Sequence, residues 1–324
     1  LEDHPLPFGG VWDIQWDDPD GILIANSAAG RIWHLDLASG EFELIVEGDP
    51  LVFPIGLALD PTDEDSLWIA DSNAGILRLD RSSGDVQLVV PHFGGAPDGI
   101  VVADDGSVYF TGQSGTVYRV NTAVPGNYEL VADVGPYGLN GLVFDSAGSL
   151  LATATWPSAV AVIDVTTGTF TVYDYSVQMR SSEDAAVDTD GNWWVIDSGF
   201  VTQFGDDPGL YRVDVPGGDI LELHRGEPLG DTVDLLIVPP RGIEVAVDIK
   251  PGSYPNSLNV AGHGVIPVAV LGSESFDVTE IDTSTLDFAG LEVKVNKKGK
   301  LQCAFEDVSG DFAAPAGAPD GYMD

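Results

Sequence analysis

The sequence holds one cysteine, Cys303, so no disulfide can form within the chain, and the compartment is left open. Lysine is nearly as scarce. There are five, none before Lys250, and four of them are Lys294, Lys297, Lys298 and Lys300, so the first 249 residues draw positive charge from arginine alone. Thirteen basic residues face 52 acidic ones, a formal charge of −39 over 324 residues. A field of that sign repels nucleic acid and anionic lipid headgroups, which excludes DNA, RNA and membrane surfaces as expected partners. No apolar run approaches the ~18 residues of a membrane span, so membrane insertion is not expected either. The chain opens on Leu1 with no signal peptide, which leads us to expect a mature or trimmed chain. Sustained helical periodicity is absent as well.

What is present suits a folded, turn-rich chain. Hydrophobic residues make up 44%, too many for charge-driven disorder, and there are 39 Gly and 21 Pro. Two explanations stand for the acidity: a high-salt habitat, or an extracellular protein that binds divalent cations.

A repeat of about 43 residues runs through the first three quarters of the chain. Its five copies begin at Gly10, Pro54, Pro97, Leu139 and Ser182. Each holds four short alternating runs, separated by turns such as Asp104-Asp105-Gly106 and Asp188-Thr189-Asp190-Gly191. Four antiparallel strands per repeat imply an all-β fold, a β-propeller with four-stranded blades. Five blades are expected, with Thr232–Val238 as one further innermost strand, and six as the alternative. The propeller should occupy residues 1–241. After Pro239-Pro240 the composition changes, and residues 242–324 read as a small β-sandwich-like domain.

The innermost strands of a propeller line its tunnel, so residues at their starts converge. Asp98, Asn140 and Glu183 fall at one equivalent position, where the second repeat has Ile55 and the first about Gly10. Three oxygen-bearing side chains at a tunnel mouth suit Ca²⁺, although Asp and Asn also cap strands and turns. Asp184 and Asp234 are candidate further ligands. His92, in the loop leading to Asp98, could serve as general base; His4, His34 and His224 have weaker claims. Arg180 could hold a carboxylate or oxyanion, or neutralise Glu183. Loops on the same face offer Asn73, Gln113, Trp156 and Phe200 to a small-molecule or glycan ligand. No phosphate-cradling loop, zinc motif or nucleophile elbow occurs. In the second domain, Glu306–Asp311 and Asp320–Asp324 gather carboxylates around glycines, either as solvated turns or as a structural calcium site.

Several segments resemble known families. Trp68–Asp80 (WIADSNAGILRLD) resembles an NHL-type blade. PDGIVVADDGSVYF and LNGLVFDSAGSLL resemble blades of the gluconolactonase, senescence-marker-protein and diisopropylfluorophosphatase group. That resemblance implies a calcium-dependent propeller hydrolase in which Asp98 and Asn140 match family ligands. The family's first-blade Glu, in a Glu-Gly-Pro setting, is replaced here by Pro7-Phe8-Gly9-Gly10. DGNWWVIDSG (Asp190–Gly199) is similar to streptogramin lyases. DIKPGS…PNS…GVIPVAVLGS resembles a module appended to bacterial and archaeal extracellular proteins; such modules usually continue beyond Asp324, so a truncated C-terminus is expected. Together these imply a secreted or cell-surface hydrolase of small esters or lactones. The alternatives are a non-enzymatic glycan- or protein-binding propeller and a lyase.

Overall fold

The structure is a computed structural model, and the residues it describes are 10–17, 21–92, 95–112, 114–122, 124, 126–198, 207–214, 219–226, 229 and 234–237 in the first unit. In the second they are 246–249, 268–271, 278–281, 286–288, 291–292 and 294–295. The chain divides into compact units at 238/239, where the composition change suggested 241/242.

The first unit is a five-bladed β-propeller. Blade 1 comprises β1 (Val11–Asp17), β2 (Gly21–Asn26), β3 (Arg31–Asp36) and β4 (Phe42–Glu47). Blade 2 comprises β5 (Pro54–Asp60), β6 (Asp63–Asp71), β7 (Gly75–Asp80) and β8 (Asp85–Pro91). Blade 3 follows with β9 (Pro97–Val102), β10 (Val108–Gly112), β11 (Thr116–Val120) and β12 (Tyr128–Asp133). Blade 4 is β13 (Leu139–Phe144), β14 (Leu150–Thr155), β15 (Ser158–Ile163) and β16 (Phe170–Asp174). Blade 5 is β17 (Ser182–Val187), β18 (Trp193–Asp197), β19 (Gly209–Asp214) and β20 (Asp219–Arg225). Each blade is an antiparallel meander whose strands pair in sequence order.

Because side chains alternate across a strand, a middle strand can supply two cores at once. In β6, Leu67 and Ile69 pack between blades 1 and 2, while Trp68 and Ala70 pack between blades 2 and 3. In β14, Leu150 and Ala152 join the blade 3–4 core and Leu151 the blade 4–5 core. Burying one Leu or Ile contributes about 1.5–3 kcal/mol, against about 1 kcal/mol for a hydrogen bond. These interfaces are therefore held mainly by apolar packing.

Turn chemistry explains part of the acidity. The β3–β4, β7–β8 and β15–β16 turns begin with Asp36, Asp80 and Asp164, whose Oδ1 atoms accept the N–H groups of the residues two and three positions further on. The glycines that follow, Gly40, Gly84 and Gly168, have φ of 74°, 78° and 70°, a region costly for any side chain. Hydrogen bonds hold these three carboxyls below their usual range, led by backbone N–H at Asp36 and Asp164 and by the Ser82 hydroxyl at Asp80.

In the second unit, β21 (Ala246–Ile249) pairs with β22 (Val268–Leu271), and β23 (Asp287–Phe288) with β24 (Leu291–Glu292). A 3₁₀ turn spans Val278–Glu280. The acidic turns at 306–311 and 320–324, and most of the module motif, lie outside the described residues. Among the described residues no helix is long and apolar enough to cross a membrane.

Candidate functional site

Every inner strand begins with the same irregularity. Val11 pairs with Asn26, Pro54 with Asp71, Pro97 with Gly112, Leu139 with Ala154 and Ser182 with Asp197, and in each case the register then shifts. The second residue of each inner strand lies in this bulge: Trp12, Ile55, Asp98, Asn140 and Glu183. Bulges re-aim side chains beside functional sites. Here the device repeats around the tunnel and brings Asp98, Asn140 and Glu183 to one level of three consecutive blades. It also corrects the first blade, where Trp12 holds the equivalent position rather than Gly10, because the strand starts one residue later and carries the bulge.

The three side chains line a common cavity of about 420 Å³. Asn140 Nδ2 donates to Glu183 Oε2 at 2.5 Å. Glu183 Oε1 accepts the hydroxyls of Ser181 at 2.6 Å and Ser198 at 2.7 Å. Burial pushes the Glu183 carboxyl up, and these three donors oppose that shift. Asp98 accepts no hydrogen bond among the described residues, and burial with the neighbouring Glu183 charge pushes its carboxyl up to about 7. Threonines of the second strands tie down the bulge backbones: Thr111 Oγ1 donates to the Asn140 carbonyl at 3.1 Å, and Thr153 Oγ1 to the Glu183 carbonyl at 2.7 Å.

The third inner-strand position divides the ring in two. Blades 2, 3 and 4 have Gly56, Gly99 and Gly141. A Cβ on Gly56 would lie 2.5 Å from the Asp98 carbonyl oxygen, and one on Gly99 would strike the Asn140 carbonyl. Blades 5 and 1 have Asp184 and Asp13, and Asp234 stands between them. The Leu235 N–H donates to Asp184 Oδ2 at 3.2 Å, the Ile14 N–H to Asp234 Oδ2 at 2.5 Å, and the Leu57 N–H to Asp13 Oδ2. Residues 234–237 thus line the tunnel between blades 5 and 1, as expected of an innermost segment, but form no strand ladder. No apolar core cluster spans blades 5 and 1 among the described residues. A chain of carboxylates joins them instead. Asp13 and Asp184 are exposed only in part; burial first, then the Asp234 charge, pushes both carboxyls well above their usual range.

His92, Arg180, Asn73 and Trp156 do not line the cavity. His92 is exposed just after β8, with its N–H on the Ala74 carbonyl. Arg180 is exposed, its guanidinium on the Ser176 carbonyl and its N–H on Asp197. Asn73 is exposed in the β6–β7 turn held by Asp71, and Trp156 is 60% exposed in the β14–β15 turn. Gln113 and Phe200 lie outside the described residues. The supporting residues Ser181, Ser198, Thr111 and Thr153 escaped the sequence reading; the nearest signal was the Asn/Asp-Ser pair that recurs at 26–27, 71–72 and 197–198.

No group of three or more His, Cys, Asp or Glu side chains placed to hold a metal ion occurs among the described residues. The candidate set is two carboxylates and one amide. Its donors are all oxygen, and Asp98, beside Glu183, accepts no hydrogen bond among the described residues, so its carboxyl oxygens are open to a hard cation.

A five-bladed propeller with an acidic tunnel is the class that fold and site define. No protein-family model matches the chain, and no curated protein sequence matches it. Similar solved structures include a virginiamycin B lyase from Staphylococcus aureus, 17% identical at a TM-score of 0.56 over 69% of this chain and 73% of that one. A gluconolactonase from Xanthomonas campestris is 20% identical at a TM-score of 0.52, over 66% and 74%. A chain of a nidogen–laminin complex is 18% identical at 0.55, over 67% and 80%. At these identities the likeness establishes the propeller fold.

Proposed function

We propose that this protein is a secreted, calcium-dependent hydrolase that opens a small ester or lactone at the tunnel mouth. The observation that carries this reading is the set of Asp98, Asn140 and Glu183 at one bulge position of three consecutive blades, facing a single cavity. A volume of about 420 Å³ suits a small ligand. The fold shared with a gluconolactonase is consistent with the substrate class.

Asp98 and Glu183 would hold the cation with their carboxylates and Asn140 with its amide oxygen. When bound, calcium would polarise the scissile carbonyl and stabilise developing negative charge, lowering the barrier by several kcal/mol. The cavity walls orient the substrate and limit its contact with bulk water. His92, on the loop leading to Asp98, and Arg180, on the loop before β17, stand outside the cavity lining. The reading gives them the proton of the attacking water and the released carboxylate, respectively, only for a substrate that projects from the cavity toward these loops. The test is a panel of aryl esters and lactones assayed with calcium and with chelator at fixed ionic strength. Calcium-dependent turnover above background is expected; equal rates under both conditions overturn the reading.

One observation favours a non-enzymatic glycan- or protein-binding propeller: Trp156 and Val177, 60% and 84% exposed, both stand on loops at the tunnel-mouth face. Ligand binding lost in Trp156→Ala, with no turnover in wild type, would select it. A lyase using the same cavity would instead release an unsaturated product without uptake of water.

A further inference from the structure

We infer that Ser181 and Ser198 are positioning residues that hold the Glu183 carboxylate for cation binding; this rests on the calcium reading of the site. Both serines are 1% exposed and Glu183 is 8% exposed. Their hydroxyls converge on the same oxygen, Oε1. Their backbones are joined as well, the Ser198 N–H donating to the Ser181 carbonyl at 3.2 Å. Asp197 fixes the approaching loop by accepting the N–H groups of Arg180 and Ser181 at 2.9 and 3.0 Å. The carboxylate is therefore gripped through one oxygen by two rigidly linked donors. Its other oxygen meets only the Asn140 amide among the described hydrogen bonds.

The pairing is confined to the blade that needs it. The residue before each inner strand is Gly10, Phe53, Ala96, Gly138 and Ser181, so only blade 5 has a hydroxyl there. The residue after each second strand is Ser27, Ser72, Gln113, Trp156 and Ser198. Ser27 sends its hydroxyl to the Pro54 carbonyl at the start of blade 2, a link between blades. Ser198 turns instead to Glu183 within its own blade. Blades 3 and 4, whose bulges carry Asp98 and Asn140, have neither serine. A buried ionised carboxylate is costly unless it is hydrogen-bonded, and outer donors that fix a metal ligand are worth about 10–100-fold in metal affinity.

The test is calcium titration by calorimetry on the full chain, comparing wild type, Ser181→Ala, Ser198→Ala, and each serine change combined with Glu183→Gln. Circular dichroism confirms that each variant folds. Each serine change is expected to weaken calcium binding about 10-fold in the wild-type background and to add nothing in the Glu183→Gln background. Wild-type affinity in both serine variants overturns the positioning role while leaving the calcium site standing. An equal loss with and without Glu183 also overturns it, because the serines would then act on the fold generally. A wild-type protein that binds no calcium overturns the site itself.

Discussion

Asn140 and Glu183 are 43 residues apart, and the amide of the first donates to the carboxylate of the second at 2.5 Å. The inner strands that carry them start at 139 and 182, one repeat apart. The contact is thus a product of repetition: two copies of one bulge, set side by side by the blade 4–5 core, bring side chains on neighbouring blades within reach. A cation held by the Asp98 and Glu183 carboxylates and the Asn140 amide oxygen would couple blades 3, 4 and 5 at the tunnel mouth.

Chelator treatment should lower the thermal midpoint, and calcium should restore it by mass action. Asn140→Ala should abolish that response. The measurement is a melt at fixed ionic strength, because at −39 any cation relieves repulsion. An unchanged midpoint with and without chelator would leave these residues as strand-start bonds.

The Asp98 carboxyl should make the metal-free protein less stable as pH rises. Its folded value, about 7, lies above the usual 3.8, so between those limits the folded state binds more protons than the unfolded one. The contribution is favourable near and below the lower limit and falls away as pH climbs through 7. Melts at pH 5 and pH 8 should show a smaller decline in Asp98→Asn than in wild type. Calcium competes with the same proton, so its affinity should fall as pH drops below 7. Parallel declines in both proteins would remove Asp98 as the group responsible.

At the ring closure, two substitutions of one residue should part in sign. Asp234→Ala removes the acceptor of the Ile14 N–H, at a cost of about 1–3 kcal/mol. Asp234→Asn keeps an acceptor and relieves the like charge felt by Asp13 and Asp184, so its stability should match or exceed wild type at neutral pH. Denaturant midpoints decide this, and equal losses in both variants would mean that the charge itself is needed.

Gly56→Ala should destabilise by at least about 1–3 kcal/mol, the usual cost of overpacking, because its Cβ would meet backbone at the Asp98 carbonyl. Gly84→Ala is the control, since its Cβ meets nothing within 4 Å and only its φ of 78° resists. If Gly56→Ala melts no lower than Gly84→Ala, the close strand approach is not what requires glycine at 56.

His92→Asn should lower turnover of an accepted ester or lactone by about 10²–10⁴-fold with calcium affinity unchanged. The residue stands outside the cavity lining, so unchanged turnover would assign the proton step to a cavity group.

The sequence alone determined the propeller, its five repeats and the three oxygen-bearing residues at one level of the tunnel. Alternation and turn residues are local signals: Leu67-Trp68-Ile69-Ala70 shows two buried faces within four residues, and Asp80-Arg81-Ser82-Ser83-Gly84 shows its turn within five. Only the tertiary structure decided how those residues are used. The bulge that aims Trp12 rather than Gly10 depends on pairing with a second strand. The grip of Ser181 and Ser198 on Glu183 depends on two loops meeting. The bond from Ile14 to Asp234 spans 220 positions, and nothing local in either segment encodes it. The exposure of His92, Arg180 and Trp156, outside the cavity lining, was equally hidden. Loop position in a repeat names the face a residue belongs to, whereas packing decides whether it reaches the cavity.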